Sequence, residues 1–225
     1  MKPDSINRTY RQSCQKCLRP LSCCYCHLIE KIDAKIQFVI LIHPLEAQRK
    51  IATGRMAHLC LSDSLLIKGK DFTQHETVNQ LIQNPNHHCL LLYPGPEAID
   101  LSKVIDFGAN PLVFPVNKKP VIFVIDGTWC TAKKTFRLSA NLRKLPRVCF
   151  TPEMPSQFRI RRQPAPNCYS TIEAIHYILE RLAGPKENPL RHRPHDGLMK
   201  VFTHMVEQQI SFNPNFLPRK RKILL

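Results

Sequence analysis

The run Val121-Ile122-Phe123-Val124-Ile125 constrains this chain more than any other stretch. Five consecutive apolar residues, four of them β-branched, read as a strand covered on both faces, the usual state of a parallel strand in an α/β sheet. Asp126-Gly127-Thr128-Trp129 then holds a turn, and a helical pattern continues to about Leu145. Ligands of open α/β sheets sit beyond the carboxyl ends of the strands, and Asp126 lies at such an end. Its carboxylate can face free helix N–H groups or a bound cation. Gly127 lets backbone approach a ligand closely, and Trp129, the only tryptophan, can supply a flat apolar wall. On spacing alone, Asp126 as a helix cap and Trp129 as a core residue fit equally well.

The 225 residues are enough for one α/β domain with small additions. The net charge of +16 points to a polyanionic partner, most simply nucleic acid. An anionic membrane surface is the weaker alternative, because no run approaches the roughly 18 apolar residues of a spanning helix. Residues 1–13 are polar with no apolar signal core, so the expected location is cytoplasmic and the expected thiol state reduced. No obligate protein partner is evident.

Five of the ten cysteines crowd into residues 14–26. Cys14 and Cys17 form one close pair; the second is Cys26 with either Cys23 or Cys24. Two such pairs across a short loop are what a closed tetrahedral zinc site needs. Ile36–Ile42 reads as the first buried strand, ending at His43-Pro44, with Glu46 and Thr53-Gly54-Arg55 close behind. Residues 55–66 and 71–83 suit short surface helices. His88–Tyr93 is a second strand, stopped by Pro94-Gly95-Pro96, and 100–120 reads as loop or short helix. After the Asp126 turn, Ala132, Phe136, Ala140 and Leu142 form an inward stripe of one helix, with Lys133, Lys134, Arg137, Arg143 and Lys144 facing out. Arg147–Thr151 is a further strand. The Pro- and Arg-rich stretch after it, with Arg159, Arg161 and Arg162, is long for a structureless loop and reads as an RNA contact. Ser170 and Glu173 form a capping box before a helix striped by Ile172, Ile175, Ile178, Leu179 and Leu182 and stopped at Gly184-Pro185. A linker over 186–195 precedes a last helix capped by Asp196, and the chain ends in a basic arm at Arg219–Lys222.

Five ordered motifs carry a family resemblance over about residues 14–183: C-x-x-C-x-R-P…C-x-C, His43-Pro44…Glu46 with Thr53-Gly54-Arg55, Leu91-Leu92-Tyr93-Pro94-Gly95, Asp126-Gly127-Thr128-Trp129 with Ala132-Lys133-Lys134, and Ser170-Thr171…Glu173-Ala174. Together they resemble the DTW-domain family, the tRNA-uridine aminocarboxypropyltransferases, of the bacterial type. The resemblance implies a mostly parallel sheet with flanking helices, SPOUT-like and possibly knotted, plus a small N-terminal four-cysteine zinc module. It divides the chain into a lead-in and zinc module (1–30), a catalytic domain (31–210) and a basic tail (211–225). It implies that S-adenosylmethionine donates its 3-amino-3-carboxypropyl group to a tRNA uridine, releasing methylthioadenosine. Asp126, Thr128 and Trp129 become the expected catalytic residues, with Asp126 either general base or partner of the donor's ammonium. Leu91, Tyr93, Pro94, Gly95, Asp126, Gly127, Ser170, Thr171 and Glu173 are the expected donor contacts. Expected tRNA contacts are His43, Arg55, Lys133, Lys134, Arg137, Arg159, Arg161 and Arg162. The family pattern selects Cys14, Cys17, Cys24 and Cys26 as zinc ligands. Two rivals remain at this point: an RNA methyltransferase on the same scaffold, and a zinc-containing RNA-binding protein without catalysis.

Overall fold

A computed structural model describes residues 12–104, 115, 117–161, 163–165, 168–183 and 193–212. Its frame is a six-stranded, all-parallel sheet in the order β2-β1-β5-β3-β6-β4. The strands are β1 (Gln37–Ile42), β2 (Ser64–Lys68), β3 (His87–Leu92), β4 (Ile99–Asp100), β5 (Lys119–Asp126) and β6 (Arg147–Cys149). The helices are α1 (Pro44–Ala47), α2 (Thr53–Cys60), α3 (Glu76–Gln83), α4 (Trp129–Leu138), α5 (Ala140–Arg143), α6 (Thr171–Leu182) and α7 (Asp196–Ser211).

The unbroken apolar run of β5 has the expected cause. Ile122 and Val124 join a large core with α2, α6 and α7, while Val121 and Phe123 join a second core with Val78 of α3 and Leu142 of α5. A strand with a hydrophobic layer on each side loses the polar alternation of a half-exposed one. β1 and β3 flank β5 and alternate in the same way: Ile40 and Leu90 face the first core, Leu41 and Leu91 the second.

Three expectations need correction, the first being the cap of the last helix: His195 holds the cap position without a side-chain cap bond, and the Asp196 carboxylate pairs with Arg193 and His176 instead. Ser64–Lys68 lies within and just past a stretch expected to be helical, yet it is an edge strand, half-buried along most of its length, paired in register to β1. The helix expected to reach Leu145 breaks at Ser139, which is fully buried and starts α5. Its hydroxyl accepts the Phe72 N–H at 3.0 Å, and Thr73 Oγ1 donates to Leu138 O and accepts from Ala140 N. A serine that satisfies backbone groups outside its own helix ends that helix.

The capping box forms. Glu173, only 3% exposed, accepts from Ser170 N–H at 2.8 Å and Ser170 Oγ at 2.6 Å. It also accepts from Ser156 Oγ and Gln157 N–H, so one carboxylate ties the long loop after β6 to the start of α6. Further along α6, His176 and Glu180 meet His195 and Asp196 of the α7 start. These four side chains converge as metal ligands would. Arg193 pairs with two of them, 2.7 and 2.8 Å from Asp196 oxygens and 2.8 Å from Glu180. Among the described residues no helix is long and apolar enough to cross a membrane. The expected lead-in up to residue 11, Gly184-Pro185, most of the 186–195 linker and the basic tail from 213 lie outside the described residues.

Candidate active site

The carboxyl ends of β1, β5 and β3 stand side by side, and Asp126 ends the middle strand. Its side chain is 3% exposed yet lines a cavity of about 480 Å³, within the usual range for small-molecule sites. Oδ1 accepts the Thr171 hydroxyl at 2.5 Å, from the first residue of α6. Oδ2 is buried without a hydrogen bond. The Gly54 amide lies close enough to favour the anion without completing one. Burial dominates, and with Glu46 nearby it outweighs Thr171, Arg161 and Gly54, pushing the Asp126 carboxyl up to about 6.

Gly54 has a geometric reason to be glycine. A Cβ there would strike the Asp126 carboxylate and come within 2.9 Å of Ile40 Cγ2. Alanine is intrinsically better than glycine in a helix by about 1 kcal/mol. Gly54→Ala is nonetheless expected to lower stability by about 1–3 kcal/mol through overpacking, and to lower activity by shifting Asp126. A melting curve that shows stabilisation would overturn that contact.

Thr128, not Asp126, caps α4: its Oγ1 accepts from Thr131 N–H at 3.2 Å. Trp129 is not a core residue. It is 43% exposed and lines the cavity from the first position of α4. Leu92, Tyr93 and Pro94 form the facing lip, with the Tyr93 ring stacked on Phe136 at 4.2 Å. Phe150, Phe158 and Tyr169 complete the apolar wall.

Near the N-terminus of the chain, Cys14, Cys17, Cys24 and Cys26 place their sulfurs within 4.8 Å of one another. Cys14–Cys26 and Cys17–Cys24 are 3.7 and 3.8 Å apart. Four thiolates about 2.3 Å from a tetrahedral zinc would be separated by about 3.8 Å. Cys23 lies outside the group, beside Ser22. Geometry therefore decides between Cys23 and Cys24. The cluster is packed onto the domain, because Cys17 and Tyr25 belong to the larger core.

The DTW domain model matches residues 11–210, spanning the cysteine cluster, the sheet and the cavity. The chain belongs to the DTW-domain family. Among curated relatives, it is 34% identical over 193 residues to "tRNA-uridine aminocarboxypropyltransferase 2" of Drosophila melanogaster, covering 82% of this chain and 71% of that protein. It is 32% identical to the Mus musculus protein of the same name, covering 76% of this chain and 57% of that protein. It is 24% identical to "tRNA-uridine aminocarboxypropyltransferase A" of Arabidopsis thaliana, over 94% of this chain and 86% of that protein. No solved structure matches.

The DTW motifs do not all reach the cavity. Tyr93, Pro94, Asp126, Gly127, Thr128, Trp129, Ser170 and Thr171 line it. Leu91 does not: strand alternation turns it into the second core, and Leu92 takes the place expected of it. Gly95 packs against the Arg147 guanidinium, and Glu173 is spent on the capping box and the loop it holds. Two of the expected tRNA contacts are also turned inward. His43 is 7% exposed, and its Nδ1 accepts the Leu45 N–H to start α1. Burial, with Lys70 nearby, holds its imidazole below the usual pKa. Arg55 is equally buried and donates to the carbonyls of Arg49 and Ala47. Arg161 lines the cavity, paired with Glu46. Lys133, Lys134, Arg137 and Arg159 are exposed as expected, and Arg162 lies outside the described residues. Sequence reasoning missed Thr53, Phe150, Phe158 and Tyr169 as cavity residues. The rule that sites lie beyond strand ends, applied to β6, would have found Phe150.

Proposed function

We propose that the cavity at the β5 edge binds S-adenosylmethionine and presents its 3-amino-3-carboxypropyl group to a tRNA uridine. The observation that carries this reading is Asp126: a nearly buried carboxylate with one free oxygen, facing a cavity with apolar walls, in a chain of the DTW family whose relatives bear the name of that activity. The same proposal includes the SPOUT-like character of the parallel sheet and a knotted pocket, both resting on the family resemblance.

In this reading the donor's sulfonium is already an activated electrophile, so no nucleophilic side chain is needed. The uridine nitrogen between the two carbonyls attacks the carbon attached to sulfur. The C–S bond breaks with its electron pair to sulfur, methylthioadenosine leaves, and the N–H proton passes to Asp126. A carboxylate with its pKa raised toward neutrality is a stronger base than an exposed one and still ionised at pH 7. Thr171 holds its orientation through Oδ1, while Oδ2 makes no hydrogen bond and lies against Gly54. Trp129 offers an exposed ring at the cavity mouth on which a base drawn from its stack can rest. The four thiols fit a structural zinc with no open position, which would staple the N-terminal segment and take no part in transfer.

In this reading the tRNA backbone lies along the exposed side of α4 and α5, on Lys133, Lys134, Arg137 and Arg143, and the exposed Arg159 of the long loop is a separate candidate contact. Four phosphate contacts should weaken binding by roughly 50-fold between about 50 and 200 mM salt. Filter binding at several salt concentrations checks this, and a flat response would rule out the footprint. The activity itself is tested by mass analysis of nucleosides from tRNA incubated with protein and donor. The reading requires gain of an aminocarboxypropyl group; gain of a methyl group, or none, defeats it.

A further inference from the structure

Arg161 was expected to meet RNA, and its setting is wrong for that. Its side chain is 20% exposed and lies on the cavity wall. Nη1 is 3.0 Å from Glu46 Oε2, and Nη2 donates to Glu46 Oε1 at 3.2 Å. The Glu46 side chain is itself only 3% exposed, and its Oε1 is shared with Arg49 Nε at 2.9 Å. A hydrogen bond from Nη2 and an ion-pair contact from Nη1 hold the guanidinium against Glu46 and leave its remaining N–H groups unspent, since an arginine carries five. Arg161 also favours the ionised form of Asp126 through space, so a fixed cation and a fixed anion share one apolar cavity.

A cation oriented in this way recognises a planar anion. The rigid fork matches a carboxylate in a way that a lysine cannot. The adenosine part of the proposed donor has no carboxylate; its amino-acid end has one. We infer that Arg161 binds the α-carboxylate of the donor's aminocarboxypropyl group, with Glu46 as the residue that positions it. The inference rests on the donor reading above and deepens it. It makes Arg161 the residue that selects a donor with an intact amino-acid end, and it fixes the transferred group at the end away from sulfur. Holding that end steers the reacting carbon toward the uridine. Glu46 in the His43-Pro44-Leu45-Glu46 motif then has a ligand-directed task, even though His43 of the same motif does not reach the cavity.

The test compares two ligands that differ in that end. S-adenosylhomocysteine carries the amino-acid tail, and methylthioadenosine lacks it. By calorimetry on the full chain, the parent protein should prefer the first. Arg161→Met should weaken S-adenosylhomocysteine by about 10- to 100-fold, the loss expected for a charge-assisted pair, and leave methylthioadenosine within about twofold. Arg161→Lys should fall between. Glu46→Gln should weaken only the tailed ligand, by less than Arg161→Met. A purely structural role would move both ligands together. Because Arg161→Met strands the buried Glu46 with one partner, the double variant Glu46→Gln/Arg161→Met covers a folding failure, and it should show the same selective loss. An unchanged preference in either folded variant overturns the inference, as does an unchanged preference accompanied by weaker tRNA binding, which would make Arg161 an RNA contact after all. A parent protein that binds neither ligand defeats the donor reading itself.

Discussion

Asp126→Asn should lower the rate of transfer by about 10²–10⁴-fold, the range lost with a general base, while the variant melts at a higher temperature than the parent. The two effects have one origin. The Asp126 carboxyl is held up to about 6, chiefly by burial, against an ordinary value of 3.8. A carboxyl whose folded pKa is raised binds more protons folded than unfolded, so stability is full below about pH 4 and falls as pH rises through about 6. Above that range the ionised form costs about 3 kcal/mol. Asparagine keeps the shape and removes the charge, so the melting temperature at pH 7 should rise by several degrees, at about 2–4 °C per kcal/mol for a chain of this size. In acid the gain should vanish. The rate of the parent enzyme should rise with pH through about 6 as the base ionises. Retained S-adenosylhomocysteine affinity in the variant marks Asp126 as base; lost affinity would reassign it to the donor's ammonium. Near-normal turnover would refute both roles.

The second large effect concerns the cysteine cluster. Cys24→Ser should lose its metal and drop the melting temperature by about 10 °C or more, since structural zinc contributes directly to folding. Cys23→Ser, one residue away, should retain about one zinc per chain and melt near the parent. The contrast follows from geometry: Cys24 Sγ faces Cys17 at 3.8 Å, whereas Cys23 Sγ sits 3.7 Å from a serine hydroxyl. Zinc measured by atomic absorption in gently purified protein gives the baseline. No metal in the parent, or equal losses in both variants, would dismiss the zinc assignment.

How much of this could be read beforehand depends on the residue. β5 and its terminal Asp126 were legible because a continuous apolar run has few other uses and its end is where ligands gather. The capping box was legible because its two members lie three residues apart and satisfy each other locally. β2 was not, because Leu65-Leu66-Ile67 follows helix α2 almost directly, and an edge strand that is only half-buried lacks a long apolar signature. The motif containing Leu91 and Leu92 located the lip of the cavity, but the pleat decides which neighbour faces it. The basic residues were hardest. Sequence shows that Arg55 and Arg161 are charged; it does not show that one will cap carbonyls six and eight residues back, or that the other will find Glu46 from 115 positions away. Long-range pairing of this kind appears only once the chain is folded.

The bond from Thr171 to Asp126 bridges 45 positions of sequence and joins the central strand to one of the last helices. A growing polypeptide therefore carries its acidic group for some time with nothing to aim it. Competence arrives late and all at once, when the helix beginning at Thr171 docks. A fragment cut short of that point would lose Thr171 together with the α6 and α7 side chains that cover one face of the sheet, so aim and packing are lost at one cut.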